Sequence, residues 1–172
     1  MLQLTDVTLR DGLQSEARIS STEEKLELYR LLSGCGYSRL EVTSFVRPDR
    51  IPQLADAESF LAGVGKVSGG AELMAFVPNV KGMERFLKYP LPWATTFVAA
   101  TEEFNKKNVG RSITETLEEL KALASLVKSQ GRRLRVYVST VFGCPYEGKV
   151  KDASLDSTLD KVAKLGADEV AL

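Results

Sequence analysis

Apolar positions along the chain alternate between a period of two and a period near 3.6, and that alternation predicts the architecture. Residues 2–9 read as a strand, with Leu4, Val7 and Leu9 on its apolar side. The loop Asp11-Gly12-Leu13-Gln14 follows. Thr22-Glu23-Glu24-Lys25 opens a helix. Ser20, Ser21 or Thr22 is available as its N-cap, and Leu26, Leu28, Leu31 and Leu32 supply its apolar face. Gly34 and Gly36 end it. Further strands are predicted at 39–43, 72–77, 94–100, 135–141 and from 168 onward. Helices are predicted near 55–61, at 80–87, from Ser112 to about Ser129, and at 154–165. Glu115, three residues after Ser112, completes a capping box.

Strands alternating with helices through short loops imply parallel strands with right-handed crossovers. A doubly wound open sheet and a (β/α)8 barrel both satisfy this order. No G-x-G-x-x-G follows the first strand and no G-x-x-x-x-G-K occurs, so the open sheet lacks its nucleotide-binding marker. Arg10-Asp11, Glu41, Asn79 and Ser139 fall at the C-terminal ends of strands, the end where a barrel collects its chemistry. A complete barrel takes about 250 residues. The chain therefore reads as an α/β protein, a (β/α)8 TIM barrel of which it holds about the first five βα units plus the sixth strand. Residues 1–172 form one C-terminally incomplete barrel domain on this reading.

Charge and composition narrow the function. Lys plus Arg and Asp plus Glu each total 23, so a nucleic-acid binder working through a global positive field is not expected. Two cysteines exclude a disulfide scaffold and fit a reducing cytosol. No apolar run reaches the roughly 18 residues of a spanning helix, and Met1 leads almost directly into patterned sequence. A cytoplasmic protein without membrane or nucleic-acid partners is the expectation. Histidine is absent, so an imidazole base or ligand cannot come from these residues.

Four segments carry candidate chemistry. In Arg10-Asp11 the guanidinium can hold a carbonyl or enolate oxygen, and the carboxylate is a hard ligand for a divalent cation. Such a pair, taken by itself, is more often a solvated loop pair on a surface. Glu41 lies within the apolar run Leu40-Glu41-Val42-Thr43-Ser44-Phe45, where a carboxylate is costly unless paired. It either orients Arg10 from the next strand or faces solvent on an edge strand. Phe142-Gly143-Cys144-Pro145-Tyr146-Glu147-Gly148 is a shaped loop able to cover a substrate, or a plain turn around a buried thiol. With no histidine beside it, Cys144 is not expected to be activated. Phe104-Asn105-Lys106-Lys107-Asn108 offers two lysines and two amides to a phosphorylated or carboxylated ligand, or is a solvated charged loop.

Taken in order, five segments resemble one family. They are Thr8-Leu9-Arg10-Asp11-Gly12-Leu13-Gln14, Leu40-Glu41-Val42-Thr43-Ser44-Phe45-Val46, Pro78-Asn79-Val80-Lys81-Gly82, Glu103-Phe104-Asn105-Lys106-Lys107-Asn108 and Gly143-Cys144-Pro145-Tyr146-Glu147-Gly148. Together they look like the hydroxymethylglutaryl-CoA lyases, metal-dependent TIM-barrel enzymes. The likeness runs from residue 3 to residue 172. It implies cleavage of 3-hydroxy-3-methylglutaryl-CoA to acetyl-CoA and acetoacetate, a retro-Claisen reaction assisted by Mg²⁺ or Mn²⁺ acting as a Lewis acid. By resemblance Asp11 matches a metal ligand. Arg10 matches the group that stabilises the enolate, and Glu41 matches the acid supporting Arg10. Gln14 would lie beside the acyl group, and Lys107 and Asn108 near the CoA moiety. An acyl-CoA substrate and, in the complete protein, a homodimer follow from the same likeness.

The family's remaining features have no counterpart here. Its other metal ligands are a His-x-His pair on the seventh strand and a later asparagine. A Gly-Asp-Thr segment follows its sixth strand, and a mobile glycine-rich loop carries a reactive cysteine, which Cys144 does not match. The 172-residue chain alone is therefore expected to be inactive. The Arg-Asp signature would also fit a related condensing barrel of the isopropylmalate or homocitrate synthase type, and a non-catalytic remnant is the third reading.

Overall fold

A computed structural model describes residues 3–65 and 70–172. The chain divides into two units, Met1–Trp93 and Ala94–Leu172.

The first unit opens with β1 (Thr5–Asp6) and a five-residue π-turn (Thr8–Gly12). Then come α1 (Thr22–Ser33), β2 (Arg39–Ser44), a single 3₁₀ turn (Pro52–Leu54), α2 (Ala57–Val64), β3 (Glu72–Phe76) and α3 (Val80–Phe86). β1 pairs with β2 and β2 with β3, both in parallel. Leu40 to Ser44 are buried without alternation, as expected for a parallel strand covered on both faces. The β2–β3 register shifts between Glu41 and Thr43. Such an irregularity re-aims side chains locally.

The expected first strand is cut short. Its first residue, Leu2, lies outside the described residues, and Leu9 is not in a strand. The chain leaves β1 after Asp6, whose carboxylate accepts both the N–H (3.0 Å) and the hydroxyl (2.9 Å) of Thr8. The Val7 carbonyl then accepts from the N–H groups of Arg10, Asp11 and Gly12 at 3.1, 2.8 and 3.3 Å. Leu9 is buried by this turn instead of by a strand. α1 starts as its sequence predicts, with Ser21 as N-cap in a capping box with Glu24. Its most buried positions, however, are Lys25 and Tyr29, and Leu31 is exposed. The Lys25 ammonium is satisfied inside by Asp56 (2.5 Å) and the Gln53 carbonyl (2.6 Å), while its stem packs.

The second unit contains most of β4 (Trp93–Ala99), then α4 (Glu102–Val109), α5 (Ile113–Ser129), β5 (Arg133–Ser139), α6 (Asp152–Lys164) and β6 (Glu169–Ala171). β5 and β6 run parallel, and the Ala100 N–H bonds the Ser139 carbonyl beside them. Ser112 caps α5 in the expected box with Glu115, and Leu117, Leu120, Leu123, Ala124 and Val127 form its buried stripe. The segment 104–108 is helical instead of a loop. Glu102 and Glu103 fall in the first turn of α4, Lys106 and Lys107 in its last, and Gly110 ends it at φ +77°. That charge order suits the helix dipole.

Candidate active site

Arg10 is positioned by the π-turn and Glu41 by β2. Their side chains meet side-on: Arg10 Nε lies 3.2 Å from Glu41 Oε1, and Nη2 donates to Oε2 at 3.2 Å. Glu41 is 0% exposed and Arg10 14%. A carboxylate so buried is tolerated because it takes one hydrogen bond from the guanidinium and lies in close ion-pair contact with it. The guanidinium also lies 5.3 Å from the centre of the Phe76 ring, whose face favours a cation. Arg10 is thus held from two strands, with little freedom to reorient. Of the two readings open for Glu41, the paired one is found, and the edge-strand one fails on its burial.

Asp11 stands on the outer side of the same turn. Its Oδ1 accepts from Arg10 Nη1 at 2.5 Å, and its side chain is 58% exposed. Gln14 follows two residues after the turn and is half-buried. Asn79, another polar residue at a strand end, has a structural task. It caps α3 by accepting the Gly82 N–H at 2.9 Å. Gly82 lets the helix approach β2, since a Cβ there would meet the Phe45 carbonyl at 3.0 Å.

In the second unit, the two amides of the 104–108 segment differ. Asn105 is fully buried. It accepts the Ala99 N–H (3.1 Å) and donates to the Arg111 carbonyl (2.9 Å) and Thr116 Oγ1 (2.7 Å). It is structural and unavailable to a ligand. Asn108 is exposed and donates to the Phe104 carbonyl of its own helix at 3.0 Å. Lys107, also exposed, places Nζ 3.9 Å from the centre of the Tyr146 ring. Phe104 lies 6.1 Å from that ring. A groove of about 480 Å³ in this unit is lined by Glu102, Glu147, Lys149, Lys151 and Lys161 among others, but not by Lys107 or Asn108.

Cys144 is buried inside its loop. Burial pushes its pKa up, but hydrogen bonds from the Thr101 hydroxyl and from the Tyr146 and Glu147 N–H groups outweigh that, and the net direction is down. The nearby Glu147 charge opposes the fall. Hydroxyl and amide donors favour the thiolate form against the cost of burial. Sequence reasoning missed Thr101, Tyr146 and Glu147 as partners. Only the loop motif that contains the last two hinted at them.

The HMGL-like family model matches residues 1–172. The chain belongs to the HMGL-like family. The mitochondrial hydroxymethylglutaryl-CoA lyase of Macaca fascicularis is 39% identical over 171 residues, covering 99% of this chain and 52% of that protein. Among solved structures, the Bacillus subtilis HMG-CoA lyase superposes with a TM-score of 0.94 at 36% identity, covering 98% of this chain and 56% of that one. An Acinetobacter baumannii HMG-CoA lyase in complex with coenzyme A and 3-methylmalate gives 0.92 at 28% identity, covering 99% and 55%. The fold is therefore that of the TIM-barrel lyases in this HMGL-like family. The chain spans about half the length of the relatives it matches.

A divalent ion does not fit the residues of this HMGL-like chain by themselves. Among the described residues, no group of three or more His, Cys, Asp or Glu is arranged to hold a metal. Asp11 offers one carboxylate, already bonded to Arg10. An octahedral Mg²⁺ site held by one protein oxygen would consist mostly of water. No helix among the described residues is long and apolar enough to cross a membrane.

Proposed function

We propose that residues 1–172 are part of a hydroxymethylglutaryl-CoA lyase, which cleaves 3-hydroxy-3-methylglutaryl-CoA to acetyl-CoA and acetoacetate. The observation that carries this reading is the side-on Arg10–Glu41 pair at the end of β1. In the reaction the C3 hydroxyl loses its proton and the bond between C2 and C3 breaks. The electron pair moves onto the thioester as an enolate, and protonation of C2 gives acetyl-CoA. Arg10 contributes charge and not a proton. Its guanidinium stabilises the enolate oxygen, and Glu41 fixes its direction. A rigid, pre-aimed cation needs no reorganisation as charge develops, which is where most of its rate effect comes from.

On the same reading Gln14 lies beside the acyl group, and Lys107 and Asn108 contact the CoA moiety. The solved relative described with coenzyme A supports a CoA ester as the ligand. Asp11 is one ligand of a Mg²⁺ or Mn²⁺ ion in the complete enzyme. The other ligands would come from the part of the relatives' length that this chain does not span. The family model across residues 1–172 supports one barrel domain. A homodimer completes the reading, and the two free cysteines suit a cytoplasmic setting.

The test is to read the gene past codon 172, express the complete product and assay it with Mg²⁺ or Mn²⁺. Acetoacetate formed from 3-hydroxy-3-methylglutaryl-CoA is the expected result. Condensation of acetyl-CoA with a 2-oxo acid instead would move the assignment to the synthases. Neither reaction would leave only common ancestry.

A further inference from the structure

Thr101 stands at the N-cap position of α4, yet its side chain makes no cap bond. Its hydroxyl donates instead to Cys144 Sγ at 3.2 Å and lies 3.1 Å from Thr140 Oγ1. The open cap is filled from a distant part of the chain. Glu147 Oε1 accepts the Glu103 N–H at 2.8 Å, across 44 residues. The loop carrying Glu147 is closed on itself by two antiparallel bonds between Cys144 and Gly148, of 2.7 and 2.8 Å. That loop also presents Tyr146, on whose ring the Lys107 ammonium rests. The loop after β5 therefore grips α4 twice, at its first turn through Glu147 and at its last turn through Tyr146.

The chemistry of the second grip matters. An aromatic face holds an ammonium in place without neutralising it, whereas a carboxylate would cancel its charge. The Tyr146 ring thus biases Lys107 toward one position and leaves its positive charge available to an anion. We propose that Glu147 is a positioning residue: through the loop and Tyr146 it holds Lys107 for the phosphates of the CoA ester. The proposal rests on the lyase reading above. It adds a role for Glu147 and Tyr146 that the resemblance does not supply.

The test uses the enzyme from the complete reading frame. Glu147→Ala is expected to raise KM for 3-hydroxy-3-methylglutaryl-CoA about tenfold while kcat falls less than about threefold, the pattern of lost ground-state binding. Glu147→Gln restores KM, because its amide oxygen can accept the same N–H. With the phosphate-free pantetheine thioester, Glu147→Ala leaves KM unchanged. In a Lys107→Ala background, Glu147→Ala adds nothing further to KM. An equal rise with the phosphate-free ester, or additive effects in the double variant, overturns the proposal. Should Glu147→Ala fail to fold, Tyr146→Leu replaces it, and Tyr146→Phe is the control that keeps the ring. A wild-type enzyme that cleaves nothing overturns the phosphate assignment together with the lyase reading. The grip itself is then judged by alkylation of Cys144 with iodoacetamide, which Glu147→Ala should accelerate. An unchanged rate overturns the grip as well.

Discussion

The end of β1 and the loop after β5 solve the same problem, holding a cation still, by opposite means. At the first, Arg10 is nearly buried and its charge is matched by a fully buried carboxylate. At the second, Lys107 is exposed and rests on an aromatic ring, while hydroxyl, thiol and backbone bonds fix the loop beneath it. The first arrangement is rigid because breaking it leaves a nearly buried charge with less compensation. The second is rigid because several modest bonds share the load. On the proposed lyase reading, a developing enolate calls for the first kind of cation, and a solvated phosphate for the second.

The comparison breaks most visibly at Glu41. Glu41→Ala leaves Arg10 beside an empty space with Asp11 still paired to it, and unfolding in urea should show a loss of about 1–3 kcal/mol. Glu41→Gln keeps the volume and one acceptor and should lose less. Equal stability of all three proteins would show that the pair is solvated and not buried. Arg10→Lys tests the chemistry instead of the fold. Lysine keeps the charge but not the planar guanidinium, so kcat in the complete enzyme should fall about 10²- to 10³-fold. A fall below tenfold would remove Arg10 from the reacting centre.

These elements also show what a single sequence reveals. Ser112 and Glu115 are three residues apart, and their capping box forms as the spacing predicts. Local chemistry of this kind is complete within one turn and needs no partner. The Arg10–Glu41 contact was half-legible: a carboxylate in an apolar strand demanded a cation, and Arg10 at the previous strand's end was the natural one. The limits of β1 were not legible. Leu4, Val7 and Leu9 alternate as a strand should, but the Asp6–Thr8 bonds and the Val7 carbonyl divert the backbone into a turn. Helix α4 was hidden by its polarity, since Asn105 takes the buried position that an apolar residue usually marks. Glu147 could not be found at all, because its partner lies 44 residues away and is a backbone N–H that any residue would supply.

Smaller effects sharpen the second arrangement. Thr101→Val keeps the shape of the side chain and removes its hydroxyl. One hydrogen bond to the thiol is lost, worth about 1 kcal/mol in a denaturation experiment. The same change should raise the pKa of Cys144, because the donor that helps hold it down is gone. Thiolate absorbance against pH reads this directly. An unmoved titration would mean that the Tyr146 and Glu147 N–H groups alone lower it.

Thr140 gives the smallest effect and the most specific one. It has φ +65°, the one positive φ outside glycine among the described residues. A β-branched residue there costs on the order of 1–3 kcal/mol and persists only where its surroundings over-determine it. Its hydroxyl donates to the Ser139 carbonyl at 2.6 Å and sits beside that of Thr101, so the strained residue completes the same cluster as the thiol. Thr140→Asn, whose side chain tolerates this conformation, should relieve part of the strain and forfeit those contacts, for a net gain of about 0.5 kcal/mol. If the loop after β5 exists to steady Lys107, that gain in stability comes with a raised KM for the CoA ester. Strain is then retained at Thr140 because the hydroxyl cluster needs it. Higher stability with an unchanged KM would make the left-handed turn at Thr140 a feature of the chain path alone.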